Sequence, residues 1–304
     1  MSHLVRFADG TGNVRVGLLT DEQLRPLAVT SMSDLLRRPV AEIRELAEAA
    51  GEPVPTAGTR LLPPLDGRME VWAAGVTYLR SEEARREESA DEDVYARVYR
   101  AERPELFFKS AAWRVVTDGE PVAIRADSAN NVPEPELGLL LTGAGEVAGY
   151  VVVDDVSSRS IEGENPLYLP QAKIYTGSCA VSARVRPAWE VPDPLSLDLR
   201  MRILRDGHEV FAGEANTSQL NRKPAGLVEY LWRDNDFPDG AVLSTGTSIV
   251  PGLDLGLRPG DEIEIEIGEV GSLHSPVVRG ADEVRRVLAT RSTGTTASVR
   301  EGRP

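Results

Sequence analysis

The segment at residues 261–267 constrains the fold most, because after its first residue glutamate and isoleucine alternate in it (Asp-Glu-Ile-Glu-Ile-Glu-Ile). Successive side chains of a β-strand point to opposite faces, so this period predicts a strand with one apolar and one solvated face. Residues 147–153 and 196–204 also have strand character. Together with Pro-Gly and Asp-Gly turn signals, these strands predict a mostly antiparallel sandwich or roll from residue 106 onward.

The chain before this region has a mixed character. Strand-like residues 4–7 and 14–19 are followed by helical spacing, and two prolines near residue 63 then interrupt both patterns. We therefore expect an α+β, mostly β protein in three parts. These parts are a small N-terminal mixed domain at residues 1–65, a β-rich domain at residues 66–290, and a disordered tail at residues 291–304 that is rich in Ser, Thr and Gly.

Charge and cysteine content exclude several classes of protein. A net charge of −14 argues against a nucleic-acid surface, which needs clustered Lys and Arg. It does not exclude an acidic small molecule, because a divalent cation reverses the local field. Cys179 is the single cysteine, which excludes an intrachain disulfide and a thiolate zinc site. The chain lacks the apolar run of a membrane span or signal peptide, so we expect a cytoplasmic protein without a membrane partner.

Two glutamates separated by one residue, Glu134 and Glu136, stand in a Pro-Glu-Pro-Glu-Leu phrase. In an extended chain their side chains share one face, and the two prolines favour a rigid strand start. A short turn at residues 142–146 leads to a second strand that ends at Asp154 and Asp155. In a hairpin, one of these aspartates would lie about 5 Å from a glutamate of the first strand, and a one-residue slip decides which one.

Three carboxylates that face one another repel unless a cation neutralises them. All-oxygen ligands suit Mg²⁺, Mn²⁺ or Ca²⁺, so the pattern predicts a metal site. The residues alone leave an alternative open, because Glu-x-Glu is common on strands. In that alternative the hairpin end is simply solvated, or Arg125 or Arg159 satisfies a pair of carboxylates.

Four blocks of the chain resemble, in order, motifs of the fumarylacetoacetate hydrolase superfamily. They are Gly-Val-Thr-Tyr at residues 75–78, Pro-Glu-Leu-Phe-Phe-Lys at 104–109, Glu-Pro-Glu-Leu at 134–137, and Gly-Tyr-Val-Val-Val-Asp-Asp-Val-Ser-Ser-Arg at 149–159 with a lysine downstream. The Thr-Gly-Thr loop at residues 245–247 is similar to the family's Gly-Thr loop. The resemblance implies the family's mixed β-sandwich roll behind a small N-terminal domain, commonly paired as a homodimer.

The resemblance also implies roles for individual residues. Glu134, Glu136 and Asp155 would bind the metal, which decides between the two aspartates. Lys173 would stand beside the metal and reach the oxygens of the substrate. The expected substrate-binding residues are Arg80, Lys109, Gly246 and Thr247.

Hydrolytic members of this superfamily carry a histidine and a glutamate soon after the first motif, and this pair deprotonates the attacking water. In this chain Ser81 and Ala84 stand in those places. The three histidines of the chain are expected to have structural or solvated roles, because none has a partner in the motifs; they are His3, His208 and His274.

Without the histidine pair, the chain resembles more closely the branch that dehydrates 2-oxo-3-deoxy sugar acids, to which residues 130–136 and 161–173 are also similar. That resemblance implies a metal-dependent lyase in which removal of the C3 proton gives a metal-stabilised enolate and the 4-hydroxyl leaves as water. Lys173 and Ser81 are the expected catalytic residues. Lys173 would carry the proton or, alternatively, act as a fixed positive contact to the substrate carboxylate.

Other functions remain open at this stage. They are an acylpyruvate hydrolase or oxaloacetate decarboxylase on the same platform, and a non-catalytic homologue that binds a 2-oxo acid. Glu83 and Glu105 are reserve candidates for acid–base chemistry. Ser160 replaces an aspartate that often follows the motif arginine, and residues 178–183 lack the usual Gly-Pro, so we expect an altered pocket.

Overall fold

The computed structural model describes residues 1–21, 23–79, 92–252 and 254–293. Its strands are β1 (Ser2–Ala8), β2 (Val14–Thr20), β3 (Gln23–Pro26), β4 (Arg60–Leu62), β5 (Glu70–Gly75), β6 (Glu105–Ala111), β7 (Val122–Ile124), β8 (Asn131–Val132), β9 (Pro135–Leu141), β10 (Val147–Asp155), β11 (Ser157–Ser158), β12 (Cys179–Val181), β13 (Arg184–Pro187), β14 (Asp198–Arg205), β15 (His208–Asn216), β16 (Ala241–Ser244), β17 (Glu262–Ile267) and β18 (Gly271–Arg279). Its helices are α1 (Met32–Leu36), α2 (Val40–Glu48), α3 (Glu92–Arg100), α4 (Arg159–Glu164), α5 (Leu169–Lys173), α6 (Pro224–Trp232) and α7 (Asp282–Thr293).

Two sheets form the body of the molecule. The larger sheet has eleven strands in the order β3-β2-β1-β13-β10-β9-β16-β5-β6, with β12 paired to β10 and β4 to β1. The smaller sheet has five strands in the order β15-β14-β17-β18-β7. The mixed, mostly β architecture predicted from the sequence is therefore confirmed.

The alternating strand β17 lies in the smaller sheet and behaves as its pattern predicts. Ile263, Ile265 and Ile267 are buried, whereas Glu262 and Glu266 are exposed. The isoleucines belong to the same apolar cluster as Leu137, Leu139 and Val152 of the hairpin β9–β10, so this cluster joins the two sheets. A second cluster covers the other face of that hairpin and contains side chains of α1 and α2.

The first 62 residues contribute β1–β4 to the larger sheet, because β1 pairs with β13 at Leu4 and Val185. The predicted domain boundary near residue 65 is therefore not a break between sheets, and the division into domains stays a prediction. The predicted tail was wrong at its start, since α7 continues through residues 291–293. Residues 294–304 lie outside the described residues.

No helix in the described ranges is long and apolar enough to cross a membrane.

Candidate active site

The hairpin β9–β10 carries the predicted carboxylates, and a bulge sets its register. Val147 lies opposite Leu141, but Gly149 lies opposite Leu140, so one extra residue enters β10 between Val147 and Gly149. Beyond this bulge the amide of Asp155 donates to the carbonyl of Glu134 at 3.0 Å. Without the extra residue, Asp154 would stand there and every later side chain of β10 would change face.

Glu134, Glu136 and Asp155 lie together and are almost fully buried, with exposed fractions of 2%, 2% and 1%. One carboxylate oxygen of each lies within 4.8 Å of those of the other two. An octahedral magnesium ion with bonds of about 2.1 Å places its ligand oxygens about 3 to 4.2 Å apart, so small side-chain rotations suffice. The donor set is all oxygen, which also suits manganese and calcium.

Asp154 does not join this cluster, which agrees with the choice implied by the family resemblance. Its side chain accepts a hydrogen bond from the backbone amide of Glu134 at 3.0 Å and is fully buried. Burial raises the pKa of this carboxyl to about 7, and the neighbouring charge of Asp155 adds to the rise. Asp154 therefore supports the backbone that presents Glu134.

Glu136 is held by the end of β16 and the loop that follows. Its Oε2 accepts hydrogen bonds from the hydroxyl of Ser244 at 2.5 Å and the amide of Gly246 at 2.8 Å. Burial, followed by the charges of Asp155 and Glu134, raises the pKa of Glu136 to about 8. The charged form of this carboxyl is therefore costly in the metal-free protein, and a divalent cation would remove that cost.

Lys173, the last residue of α5, reaches the cluster from the side of the short helices. Its ammonium donates to Glu134 at 2.6 Å, to Asp155 at 3.2 Å and to the hydroxyl of Ser157 at 2.6 Å. It also lies 5.7 Å from the centre of the Phe107 ring. The structure thus brings Lys173 together with two of the three predicted ligands.

Lys109 lies behind the carboxylates. Its ammonium forms an ion pair with Asp155 and donates to the backbone carbonyls of Val156 at 3.1 Å and Lys173 at 2.6 Å. All three N–H groups are therefore directed at protein oxygens, and the residue does not line the pocket beside the cluster. This placement fixes Asp155 and the end of α5, and it does not support the predicted contact to substrate.

The pocket beside the cluster is lined by residues from six elements and the loops between them. They are Ala74, Gly75, Val76, Glu105, Phe107, Glu134, Glu136, Asp155, Glu162, Leu169, Lys173, Gly246 and Thr247. Among the lining residues that the structure describes, there is no histidine. His208 and His274 are exposed, and His3 lies in β1.

Two carboxylates outside the metal cluster, Glu105 and Glu162, also line this pocket. Glu105 begins β6 opposite Gly75, and its Oε2 lies 2.1 Å from the point where a Cβ on Gly75 would stand. Glu162 lies on α4 and is 3% exposed. Glu105 was a reserve candidate, whereas nothing in the sequence pattern distinguished Glu162 from its acidic neighbours.

Residues 75–77 and the Thr-Gly-Thr loop at residues 245–247 form one wall of the pocket. Two residues of this wall have positive φ angles. Val76 has a φ of 52°, which is rare for a β-branched residue, and Gly246 has a φ of 93°. The hydroxyl of Thr77 donates to the carbonyl of Thr245 at 2.7 Å. Gly246 and Thr247 line the pocket as predicted, but the amide of Gly246 is directed to Glu136 and not to the pocket.

Gly246→Ala is expected to destabilise the fold by about 2 kcal/mol or more and to weaken magnesium binding, because of the strained backbone and a collision. The added Cβ would stand 2.0 Å from the Thr77 hydroxyl and 2.8 Å from the Ala74 carbonyl oxygen. Urea unfolding and magnesium titration would measure both effects. Gly226→Ala is the matched control, because its Cβ would meet nothing within 4 Å. Equal stability and magnesium affinity in the two variants would contradict this description of the loop.

The remaining sequence predictions have mixed outcomes. Arg80, Ser81, Glu83 and Ala84 lie outside the described residues. Of the two arginines weighed as partners for the carboxylates, Arg159 does contact Glu134 at 3.2 Å. Arg125 pairs instead with Asp127, and its guanidinium also donates to the Gln171 carbonyl.

A serine hydroxyl forms a hydrogen bond at each of the two places where the chain departs from the family pattern, residue 160 and the segment 178–183. Ser160 accepts a hydrogen bond from the amide of Ala129 at 3.2 Å. Ser178 donates to the carbonyl of Lys173 at 2.9 Å and so fixes the end of α5. Both serines therefore form hydrogen bonds close to the site.

Comparisons with known proteins identify the family of the chain. The fumarylacetoacetate (FAA) hydrolase C-terminal family matches residues 70–278. A 2-dehydro-3-deoxy-D-arabinonate dehydratase of Saccharolobus solfataricus is 45% identical over 222 residues, which are 72% of this chain and 74% of that protein. A protein of Haloferax volcanii named "Probable 2-keto-3-deoxyxylonate dehydratase" is 49% identical over 214 residues, 70% of this chain and 73% of the relative.

A solved structure is also similar over nearly the whole chain. It is a 2-keto-3-deoxy-D-arabinonate dehydratase complexed with magnesium and 2,5-dioxopentanoate, with a TM-score of 0.81 and 36% identity. The likeness covers 93% of this chain and 100% of that one. The resemblance inferred from the sequence motifs is confirmed, and the chain belongs to the fumarylacetoacetate hydrolase family.

Proposed function

We propose that this protein is a metal-dependent lyase that removes water from a 2-oxo-3-deoxy sugar acid. The observation that carries the proposal is the buried triad of Glu134, Glu136 and Asp155 beside a pocket that contains a further glutamate, Glu105. The names of the similar dehydratases, and the magnesium in one of their structures, support the same reaction.

Glu134, Glu136 and Asp155 would hold the metal, with magnesium the first choice and manganese or calcium as substitutes. A divalent ion at this position supplies positive charge beside the 1-carboxylate and 2-oxo group of the substrate, which makes the C3 protons more acidic. Lys109 and Arg159 position two of these carboxylates from behind, Lys109 at Asp155 and Arg159 at Glu134.

Glu105 is the base that we propose for the C3 proton. It lines the pocket, lies outside the cluster of predicted metal ligands, and as a carboxylate has a lone pair that can accept a proton. The ammonium of Lys173 has no lone pair, and its donors are directed at Glu134, Asp155 and Ser157. Because Lys173 lines the pocket, we propose for it the second role considered, that of a fixed positive charge beside the substrate oxygens.

In the proposed reaction Glu105 moves one proton from C3 of the substrate to the departing 4-hydroxyl. The C3–H bond breaks and its proton moves to Glu105, while its electron pair forms the C3–C4 double bond. The C4–O bond breaks, and the departing hydroxyl takes the proton from Glu105 and leaves as water. The carboxylate of Glu105 is then regenerated for the next cycle. Thr247 lines the same pocket, and we propose that it, with Arg80 and Ser81, orients the substrate.

The test is loss of water from five- and six-carbon 2-oxo-3-deoxy sugar acids, followed by mass spectrometry of the product. We expect turnover with magnesium and loss of turnover in EDTA, with recovery when magnesium is restored. Release of pyruvate from acylpyruvates, or of carbon dioxide from oxaloacetate, would instead favour the C–C cleaving alternative. Binding of oxalate or pyruvate without turnover of any substrate would favour a non-catalytic homologue.

We also propose, from the family resemblance, that two copies associate as a homodimer and that the protein is cytoplasmic. Sedimentation velocity would measure the mass of the assembly, and a monomer at micromolar concentration would contradict the first proposal.

A further inference from the structure

A cavity of about 230 Å³ lies where the N-terminal strands meet the rest of the chain, and we call it the α7 cavity. Strands β1, β2 and β4 and residues 63–67 line one side, and residues 112–113 and helix α7 line the other. It shares no lining residue with the pocket beside the carboxylate cluster. Pockets for drug-sized molecules begin at about 300 Å³, so this cavity suits a smaller molecule.

Most of the lining of the α7 cavity is apolar. Of its 11 lining residues, three are charged, Gly67 has no side chain and the other seven are apolar. Two of the apolar side chains are also exposed, Trp113 at 68% and Val14 at 45%, so they form part of the opening. Large exposed apolar side chains that lie together are typical of binding sites. The guanidinium of Arg114 lies 5.3 Å from the centre of the Trp113 ring and adds a positive charge there.

The charged lining residues are Arg6, Asp66 and Arg291. Arg6 lies 3.3 Å from Asp66, its one ion-pair partner among the described residues, and its Nε forms no hydrogen bond there. Arg291 pairs with Glu120, which does not line the cavity. Each of the two carboxylates also accepts backbone amide hydrogen bonds, Asp66 two and Glu120 one. The negative charge of each is therefore shared between a guanidinium and backbone donors.

Positive charge exceeds negative charge around the α7 cavity. Arg60, which is exposed on β4, adds a guanidinium near Arg291. Burial, followed by the positive charges of Arg60 and Arg6, lowers the pKa of Arg291 to about 9. Burial also lowers the pKa of Arg6, although the charge of Asp66 opposes this effect. An anion in the cavity would therefore reduce the cost of these buried positive charges.

We infer that the α7 cavity binds a small carboxylate with an apolar body, such as an aromatic acid. The carboxylate accepts hydrogen bonds from Arg6 and lies in the positive field of Arg60 and Arg291, because guanidinium groups match carboxylates in geometry and charge. The apolar body packs against Trp113 and the aliphatic side chains of the lining. No residue of the carboxylate cluster takes part, so the inference is independent of the proposed function.

Three probes test the inference by calorimetry on the full chain in EDTA, which removes metal-dependent binding at the carboxylate cluster. Benzoate has both the charge and the apolar body, benzyl alcohol lacks the charge, and inorganic phosphate lacks the apolar body. We expect benzoate to bind with a Kd of about 1 mM or lower. The other two probes should bind at least about tenfold more weakly. Benzoate should also raise the thermal unfolding midpoint, because it binds only the folded chain.

Two variants at exposed positions locate the binding site. Val14→Glu brings a negative charge to the opening and Trp113→Ala removes the aromatic ring, so each should weaken benzoate binding at least about tenfold. Val210→Glu is the matched control, because Val210 is also an exposed strand valine but does not line the cavity.

Three results would overturn the inference. The first is a benzoate affinity that neither Val14→Glu nor Trp113→Ala changes. The second is binding of benzoate that appears only when magnesium is present, because it would place the ligand at the carboxylate cluster. The third is no binding of benzoate to the unaltered protein.

Discussion

Glu136→Gln is expected to abolish magnesium-dependent activity while it stabilises the metal-free protein. Glutamine keeps the size of the side chain and an oxygen that can accept from Ser244 and Gly246. It removes the negative charge that the metal needs. Mutation of a residue that only hydrogen-bonds to a metal ligand typically lowers metal affinity by about 10- to 100-fold. Loss of the charge of a ligand itself should therefore lower magnesium affinity by at least about 100-fold.

The stabilisation follows from the environment of Glu136 in the absence of metal. Burial and the nearby charges of Asp155 and Glu134 make its ionised form unfavourable, and the neutral amide avoids that cost. Thermal unfolding in EDTA should therefore show a higher midpoint for the variant, whereas magnesium should stabilise only the unaltered protein. Glu266→Gln, on the exposed face of β17, is the control for loss of one negative charge. An unchanged magnesium affinity in Glu136→Gln would be incompatible with the proposed ligand set.

Glu105→Gln is expected to lower kcat by about 10² to 10⁴, the usual contribution of a general base, without a change in magnesium affinity. The amide cannot accept the C3 proton, and the side chain is outside the metal cluster. Steady-state kinetics and magnesium titration together separate these effects. Gly75→Ala should give a similar loss of kcat, because its Cβ would occupy the place of the Glu105 carboxylate.

Lys173→Met provides the comparison that decides between the two bases. If Glu105→Gln keeps most of its kcat and only Lys173→Met is inactive with magnesium bound, Lys173 is the base and our assignment is wrong. If both variants bind magnesium and only Glu105→Gln loses exchange of the C3 protons of pyruvate with deuterium in D₂O, Glu105 is the base.

The strands of this protein could be predicted from its sequence where their side chains alternate. Residues 261–267 follow the period of two, and β17 buries its isoleucines as that period requires. How β1–β4 join the other strands could not be predicted, because the pairing of β1 with β13 connects residues about 180 positions apart. No local pattern records such a contact.

The kinds of residue in the candidate site could be predicted from the sequence, but the pairing register of β9 with β10 could not. The spacing of Glu134 and Glu136 places both on one face of an extended chain, which the structure confirms. The choice between Asp154 and Asp155 depends on the bulge after Val147, and the sequence there gives no sign of an extra residue. The family resemblance favoured Asp155, which is the aspartate that lies with the two glutamates in the structure, whereas alternation alone left both aspartates open.

The two lysines illustrate a second limit of sequence reasoning. Lys109 and Lys173 are both buried cations near carboxylates, and a motif gives them similar roles. In the structure Lys173 lines the pocket, whereas Lys109 is turned toward Asp155 and two backbone carbonyls. Such a difference depends on how the folded chain directs each ammonium group, which the motif does not record.

The most direct test of the central claim is an anomalous difference map from crystals grown with manganese and oxalate. We predict a single strong peak about 2.2 Å from one carboxylate oxygen each of Glu134, Glu136 and Asp155, with oxalate completing the coordination. A map without a peak there, in which Lys173 and Arg159 alone neutralise these carboxylates, would contradict the metal-dependent mechanism.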